Sequence, residues 1–267
     1  MTDVRILQLS DLHFAADPVP EPSPARAVEL AAEAIHRDFG DVPFVLALSG
    51  DITTQGRKIG YFDALRSLAT LKEVLNISHV VTCPGNHDIA ISDPSAFREF
   101  NQFALTATRD SAQYWQPDHP VSIASIDGYS ILLVNSAFQG DHRFGSVPLK
   151  HLRDAFQATD GTHRVVMLHH SPISSAYAGG GLSDAYDLLA LTSEFTTSAV
   201  LHGHVHSDQG LHIGPNMTLL FGAGSLGFKP DPNMNNQFVV HEFEDGKAVS
   251  THLYKYFASF QRFKKDA

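Results

Sequence analysis

Val80-Val81-Thr82-Cys83-Pro84-Gly85-Asn86-His87-Asp88 sets a β-branched run directly before a Pro-Gly stop and three polar side chains. The run reads as a buried strand, and Pro84-Gly85 ends it sharply. An amide, an imidazole and a carboxylate are thus carried to one strand end, a common place for ligands in open α/β sheets. Asn86 offers a neutral oxygen ligand, His87 a proton donor near neutral pH and Asp88 an orienting acceptor. Taken alone, the stretch reads equally well as a polar turn with a helix-capping aspartate, so the weight falls on the rest of the chain.

Working towards the N-terminus, the pattern recurs. Val4-Arg5-Ile6-Leu7-Gln8-Leu9 reads as a strand that ends in Ser10-Asp11-Leu12-His13. Asp11 and His13 are two positions apart, so extended geometry would point both to one side. After a Pro-rich loop from Asp17 to Pro24, Ser23-Pro24 opens a helix whose apolar stripe is Val28, Ala31, Ala32 and Ile35, ending near Phe39-Gly40. Phe44–Leu48 reads as a second buried strand ending in Ser49-Gly50-Asp51, and Tyr61, Leu65, Leu68 and Leu75 mark a helix returning to Val80. Strand–helix–strand–helix–strand predicts a parallel sheet with right-handed crossovers.

Towards the C-terminus, Asp93-Pro94 is expected to start a helix carrying Phe97, Phe100 and Phe103. Val121–Ile126 and Tyr129–Val134 flank Asp127-Gly128 as a hairpin. The loop with Asp141, His142 and Arg143 follows; His142 and Arg143 are candidates to reach the non-reacting part of a substrate, against a plain solvated loop. Leu149, Leu152 and Phe156 mark a short helix, and Arg164–Leu168 a strand ending in His169-His170-Ser171-Pro172. The glycines at 179–181 lack the Gly-Lys-Ser/Thr of a Walker phosphate loop. A helix from about Ser183 to Phe195 leads to the strand Ala199–Leu201 and then His202-Gly203-His204-Val205-His206. Met217–Phe221, Phe238–Phe243 and Ala248–Tyr254 read as strands, expected to form an antiparallel tail over about 215–256. With no repeat or linker visible, one domain over 1–267 is expected, with its motifs in about 4–210.

Composition narrows the function. The chain has 267 residues, 43% apolar and 18% charged, which fits a globular protein. No apolar run approaches the roughly 20 residues of a membrane helix. The first residues lack a signal-peptide pattern, and the lone Cys83 rules out an intrachain disulfide, so a cytoplasmic setting is expected. A formal charge of −10 should repel long duplex nucleic acid. Sixteen histidines are many for this length, and histidine is the commonest metal ligand.

Strand ends therefore carry Asp11 and His13, Asp51, Asn86 with His87, His169, and His204 with His206. Without His87 these groups suit two metal ions that share one bridging carboxylate. Their mix of oxygen and imidazole favours manganese, iron, zinc or cobalt over calcium. Two such ions roughly 3.5–4 Å apart can share a bridging hydroxide and clamp an in-line displacement. Metals would also give an acidic chain the positive charge that phosphoryl transfer needs, which points to a small phosphorylated substrate.

Asp11-Leu12-His13, Gly50-Asp51, Gly85-Asn86-His87-Asp88, His169-His170-Ser171-Pro172 and Gly203-His204-Val205-His206 together resemble the calcineurin-like metallophosphoesterase superfamily over about residues 4 to 210. Ser-Asp-Leu-His and Ser-Gly-Asp-Ile look most like the class III cyclic nucleotide phosphodiesterases and glycerophosphodiesterases. The resemblance implies an α/β fold, a four-layer α-β-β-α sandwich of two mixed sheets with metals at the strand ends. It implies Asp11, His13 and His206 as ligands of a first metal, Asn86, His169 and His204 of a second, and Asp51 as the bridge. His87 would protonate the leaving oxygen or stabilise transition-state charge, with Asp88 supporting from behind. His170 is a candidate substrate contact, against ordinary packing, and His202 reads as structural. Ser171 stands where many relatives carry a second proline or a histidine, and residues after about 214, including 222–236 with Lys229, match no motif. The implied reaction is hydrolysis of a small phosphodiester, a cyclic nucleotide first. A phosphomonoesterase, a single-strand nuclease and a non-catalytic metal-binding module are the alternatives.

Overall fold

Alternate residues of Tyr129–Val134 (β5) part between two cores, and this division defines the layers. Ile131 and Leu133 face the cluster shared by both sheets, whereas Leu132 and Val134 face a second cluster with Leu152, Phe156 and Leu188. A strand buried on both faces requires a layer on each side. The computed structural model describes residues 4–89, 97–139, 144–173, 180–228 and 234–266.

The first sheet runs from Val4–Leu9 (β1) to Phe44–Ser49 (β2) and Ile77–Cys83 (β3), all parallel. Pro24–Phe39 (α1) and Lys58–Val74 (α2) make the crossovers. The Ser23 hydroxyl accepts from the Arg26 amide and caps α1 as expected, which satisfies one otherwise orphaned donor. Ala27, Val28, Ala31 and Ile35 bury the stripe of α1, and Tyr61, Ala64, Leu68 and Leu71 that of α2. Arg98–Thr108 (α3) packs on α2 and β3 through Phe100 and Phe103. The expected start of this helix at Asp93-Pro94 lies outside the described residues.

The second sheet begins with Val121–Ile126 (β4) and β5, a hairpin turned by Asp127 and Gly128 at φ 48° and 82°. Two consecutive positive φ angles match the right-handed twist of the strands. His163–Met167 (β6) and Thr197–His202 (β7) continue it in parallel, with Leu149–Ala158 (α4) and Ala185–Glu194 (α5) on the outer face. The order of this sheet is β4-β5-β6-β7-β9-β8, where β8 is Asp208–Ile213 and β9 is Thr218–Ala223.

One expectation changes here. The tail over 215–256 is not a single antiparallel unit: β9 pairs in parallel with β7, in the second sheet. Gln237–Glu244 (β10) returns to the first sheet, antiparallel to β1, and pairs antiparallel, as expected for the last two strands of the tail, with Lys247–Phe257 (β11), which is followed by Arg262–Lys265 (β12). The first sheet thus reads β12-β11-β10-β1-β2-β3. The two mixed sheets pack face to face between helices, an α/β sandwich in four layers. No helix among the described residues is long and apolar enough to cross a membrane.

Candidate metal centre

The C-terminal ends of β1, β2, β3, β6 and β7 meet at one edge of the sandwich. There Asp11, His13, Asp51, Asn86 and His169 are buried, while His204 and His206 are partly covered. The backbone after β1, β2 and β7 does not stay extended. Asp11 and His13 have φ of 52° and 48°, His204 and His206 of 73° and 56°, and Asp51 of 51°. Side chains two apart therefore converge through left-handed turns and not through the extended geometry expected from their spacing. Non-glycine residues rarely adopt this region, and such strain concentrates at functional sites. Ladder-like bonds hold it: the Asp11 amide donates to Gly50 O at 3.2 Å and the His13 amide to Asp51 O at 3.0 Å.

The side chains form two linked groups. Around Asp11, the Oδ1 lies 3.0 Å from His206 Nε2 and 3.8 Å from His13 Nε2. Its Oδ2 accepts from the Ser10 hydroxyl at 2.6 Å and the His204 amide at 3.1 Å. Asp51 Oδ2 stands between the groups, 3.7 Å from His13 Nε2 and 3.2 Å from His169 Nε2, while its Oδ1 accepts from the His87 amide at 2.8 Å. His204 Nδ1 faces Asn86 Oδ1 at 3.2 Å, and the His204 and His169 rings are 5.2 Å apart. The His169 Nδ1–H donates to Ser49 O at 2.9 Å, which turns Nε2 inward.

Asp11, His13 and His206 offer ligand atoms within 4.8 Å of one another, and so do Asp11, Asp51 and His169. Asp11 Oδ1, His13 Nε2 and His169 Nε2 are buried with no hydrogen-bond partner among the described residues. Orphaned polar atoms are costly in a folded interior, and a shared cation satisfies carboxylate and imidazole together, so the donor set fits metal. Electrostatics agree. Burial pushes the Asp11 carboxyl up, yet His206, His13 and His169 hold it well below the usual carboxylate range. Burial pulls His169 down, but Asp51, Asp11 and the Ser49 carbonyl carry it up to about 10. The carboxylates demand positive charge at this point.

Glycines set the approach distances. A Cβ at Gly85 would strike Asp51, one at Gly50 the His169 ring, and one at Gly203 the Ser10 hydroxyl and Asp11.

The Asp88 carboxylate accepts from the amides of Ile52, Thr53 and Gly85 and from the Tyr61 hydroxyl, tying the loop after β3 to the loop after β2. Burial and Asp51 push its carboxyl up to about 7 against those amides. The His87 ring lies 5.0 Å from that of His13, and burial lowers its pKa while Asp51 opposes the shift. His170 is fully buried, bonded through Nδ1 to Ser136 Oγ at 2.8 Å, with its ring 4.5 Å from His204. His202 is buried beneath the site, where burial pushes it down to about 4. His142 and Arg143 lie outside the described residues, as does Lys229.

Three supporting groups escaped the sequence. Gln8 donates from Nε2 to Ser49 Oγ and His202 O, while its Oε1 faces His241 Nε2 at 3.1 Å. Phe228 packs its ring 5.0 Å from His13 and 5.7 Å from His206. Gln8 and His241 sit in plain strand patterns, and Phe228 in a stretch without periodicity, so only the pairing of distant strands reveals them.

Residues 4–208 match the family model of the calcineurin-like phosphoesterases, and the chain belongs to that family of metal-dependent phosphoester hydrolases. The 3',5'-cyclic adenosine monophosphate phosphodiesterase CpdA of Haemophilus influenzae is 22% identical over 239 residues, covering 85% of this chain and 79% of that one. A dimetal phosphatase from Danio rerio shares the fold with 13% identity and a TM-score of 0.63, over 96% of both chains. Purple acid phosphatase PPD1 from yellow lupin (Lupinus luteus) does so with 14% identity and a TM-score of 0.64, over 98% of this chain. The present chain covers 52% of the lupin chain, about half its length.

Proposed function

We propose that the protein hydrolyses a phosphodiester bond in a small substrate, a cyclic nucleotide first among candidates, with two transition-metal ions of the manganese, iron, zinc or cobalt kind. The observation that carries this reading is Asp51 Oδ2 standing between His13 Nε2 and His169 Nε2, buried atoms with no hydrogen-bond partner among the described residues. Asp11, His13 and His206 would hold one ion, Asn86, His169 and His204 the other, and Asp51 would touch both. When bound, such ions offset phosphoryl charge and supply a nucleophile from water at neutral pH.

The chain's own residues do the rest. Asp11 and Asp51 present the negative charge that would anchor the cations, and Ser10 and the His87 amide fix their carboxylate planes. His87, more exposed than the buried ligands, is the group to hand a proton to the leaving oxygen. Asp88 holds the loop carrying His87 by its backbone bonds. The resemblance to CpdA supports a diester over a monoester, and the chain's acidity supports a compact substrate over long duplex nucleic acid. A cytoplasmic location fits the lone buried cysteine.

Hydrolysis of cyclic AMP, bis(p-nitrophenyl) phosphate, p-nitrophenyl phosphate and an oligonucleotide on manganese-loaded protein tests the reading. It expects the small diesters to be preferred in kcat/KM. A clear preference for the monoester would overturn it.

A further inference from the structure

The family match ends at residue 208, yet the chain returns to the metal centre after β9. Residues Gly224 to Phe228 run as a strap along the loop that carries Asp11 and His13. The Leu226 amide donates to Ser10 O at 3.0 Å and the Gly227 amide to Asp11 O at 3.1 Å. The Ser225 hydroxyl also donates to Asp11 O, at 2.9 Å, and accepts from the Phe228 amide at 3.0 Å. A side chain at Gly227 would run into the Leu12 carbonyl, so only glycine lets the strap lie this close. On its other side, the Asn236 amide group donates to Leu226 O and the Gln237 amide to Ser225 O. Phe228 is thereby held in place, half-buried, with its ring 5.0 Å from His13 and perpendicular to His206 at 5.7 Å.

Metal-ligating imidazoles are commonly oriented by a hydrogen bond from the second ring nitrogen. His206 lacks this device: its Nδ1 is buried with no hydrogen-bond partner among the described residues. We propose that Phe228 does that work by packing, as a positioning residue that fixes the rings of His13 and His206 for one metal ion, with the 224–228 strap as its mount. The inference rests on the metal-holding reading given under Proposed function.

Phe228→Ala and Phe228→Tyr, each titrated with manganese against a chromophoric chelator, test it, together with the thermal midpoint of the metal-free proteins. Phe228→Ala is expected to weaken one of two bound ions by about 10–100-fold and leave the other unchanged. Phe228→Tyr, which keeps the ring, should stay within a few-fold of wild type, and the metal-free midpoints should agree within a few degrees. Unchanged affinity for both ions in Phe228→Ala would overturn the inference while leaving the metal-holding reading intact. Equal weakening of both ions with a fallen metal-free midpoint would also overturn it, since Phe228 would then be only part of the packing. Wild-type protein that takes up no manganese would overturn the metal-holding reading and this inference with it.

Discussion

Asp51 Oδ2 lies 3.2 Å from His169 Nε2, joining a residue that leaves β2 in one sheet to a residue that leaves β6 in the other. The same oxygen is 3.7 Å from His13 Nε2, so one carboxylate faces both halves of the candidate centre. Removing it should do more than remove one ligand. Asp51→Ala is expected to lower metal content, by elemental analysis after dialysis, from two ions per chain to one or none. Retention of both ions would deny Asp51 the bridging place.

His87 makes a different prediction, because its backbone amide donates to Asp51 Oδ1, at 2.8 Å. That bond survives a change of side chain. His87→Ala should therefore keep its metal while turnover falls roughly 10²–10⁴-fold, the span of a lost general acid. An unchanged rate would take His87 out of the mechanism.

Gly85 lies so close to Asp51 that an added methyl group would meet its Oδ1 and its backbone amide nitrogen. Neither atom can move without disturbing the loop after β2. Gly85→Ala should lower stability to denaturant by about 1–3 kcal/mol, the usual cost of overpacking, and should also reduce bound metal. Wild-type stability together with full metal content would show that the loop has slack there.

His241 gives a pH prediction away from the candidate metal ligands. Its Nε2 faces Gln8 Oε1 and its Nδ1 faces the Thr251 hydroxyl, both at 3.1 Å, in a fully buried position. Burial, helped by the charge of His252, pushes the imidazole down to about 3. In the unfolded chain it titrates near 6.5, so there the unfolded state binds the extra proton. The stability it contributes is complete above about pH 6.5 and is lost progressively as pH falls from there towards 3. Metal-free wild type should lose on the order of 2 kcal/mol more than His241→Gln between pH 7 and 5, by urea denaturation. Parallel losses in the two proteins would contradict a buried neutral His241.

The legible and illegible parts of the sequence divide along physical lines. Local signals carried the hairpin at Asp127-Gly128, the Ser23 cap and the strand ends bearing Asp11, Asp51 and His169. Each depends on a few neighbouring residues. Asp208–Ile213 shows no alternation because it is an exposed edge strand, with Gly210 lying over the Phe221 ring of its partner. The parallel pairing of β9 with β7 is a long-range choice that no turn between neighbours announces. Convergence of Asp11 with His13 was expected for the wrong backbone reason, since left-handed φ angles bring them together. Phe228 became visible only once the strap returned to Asp11.

Equilibrium dialysis of the wild-type chain against micromolar manganese, counting ions bound per chain, tests the central claim most directly. The account predicts two, falling by at least one in Asp51→Ala. Binding of no ion, or the same number in both proteins, would contradict it.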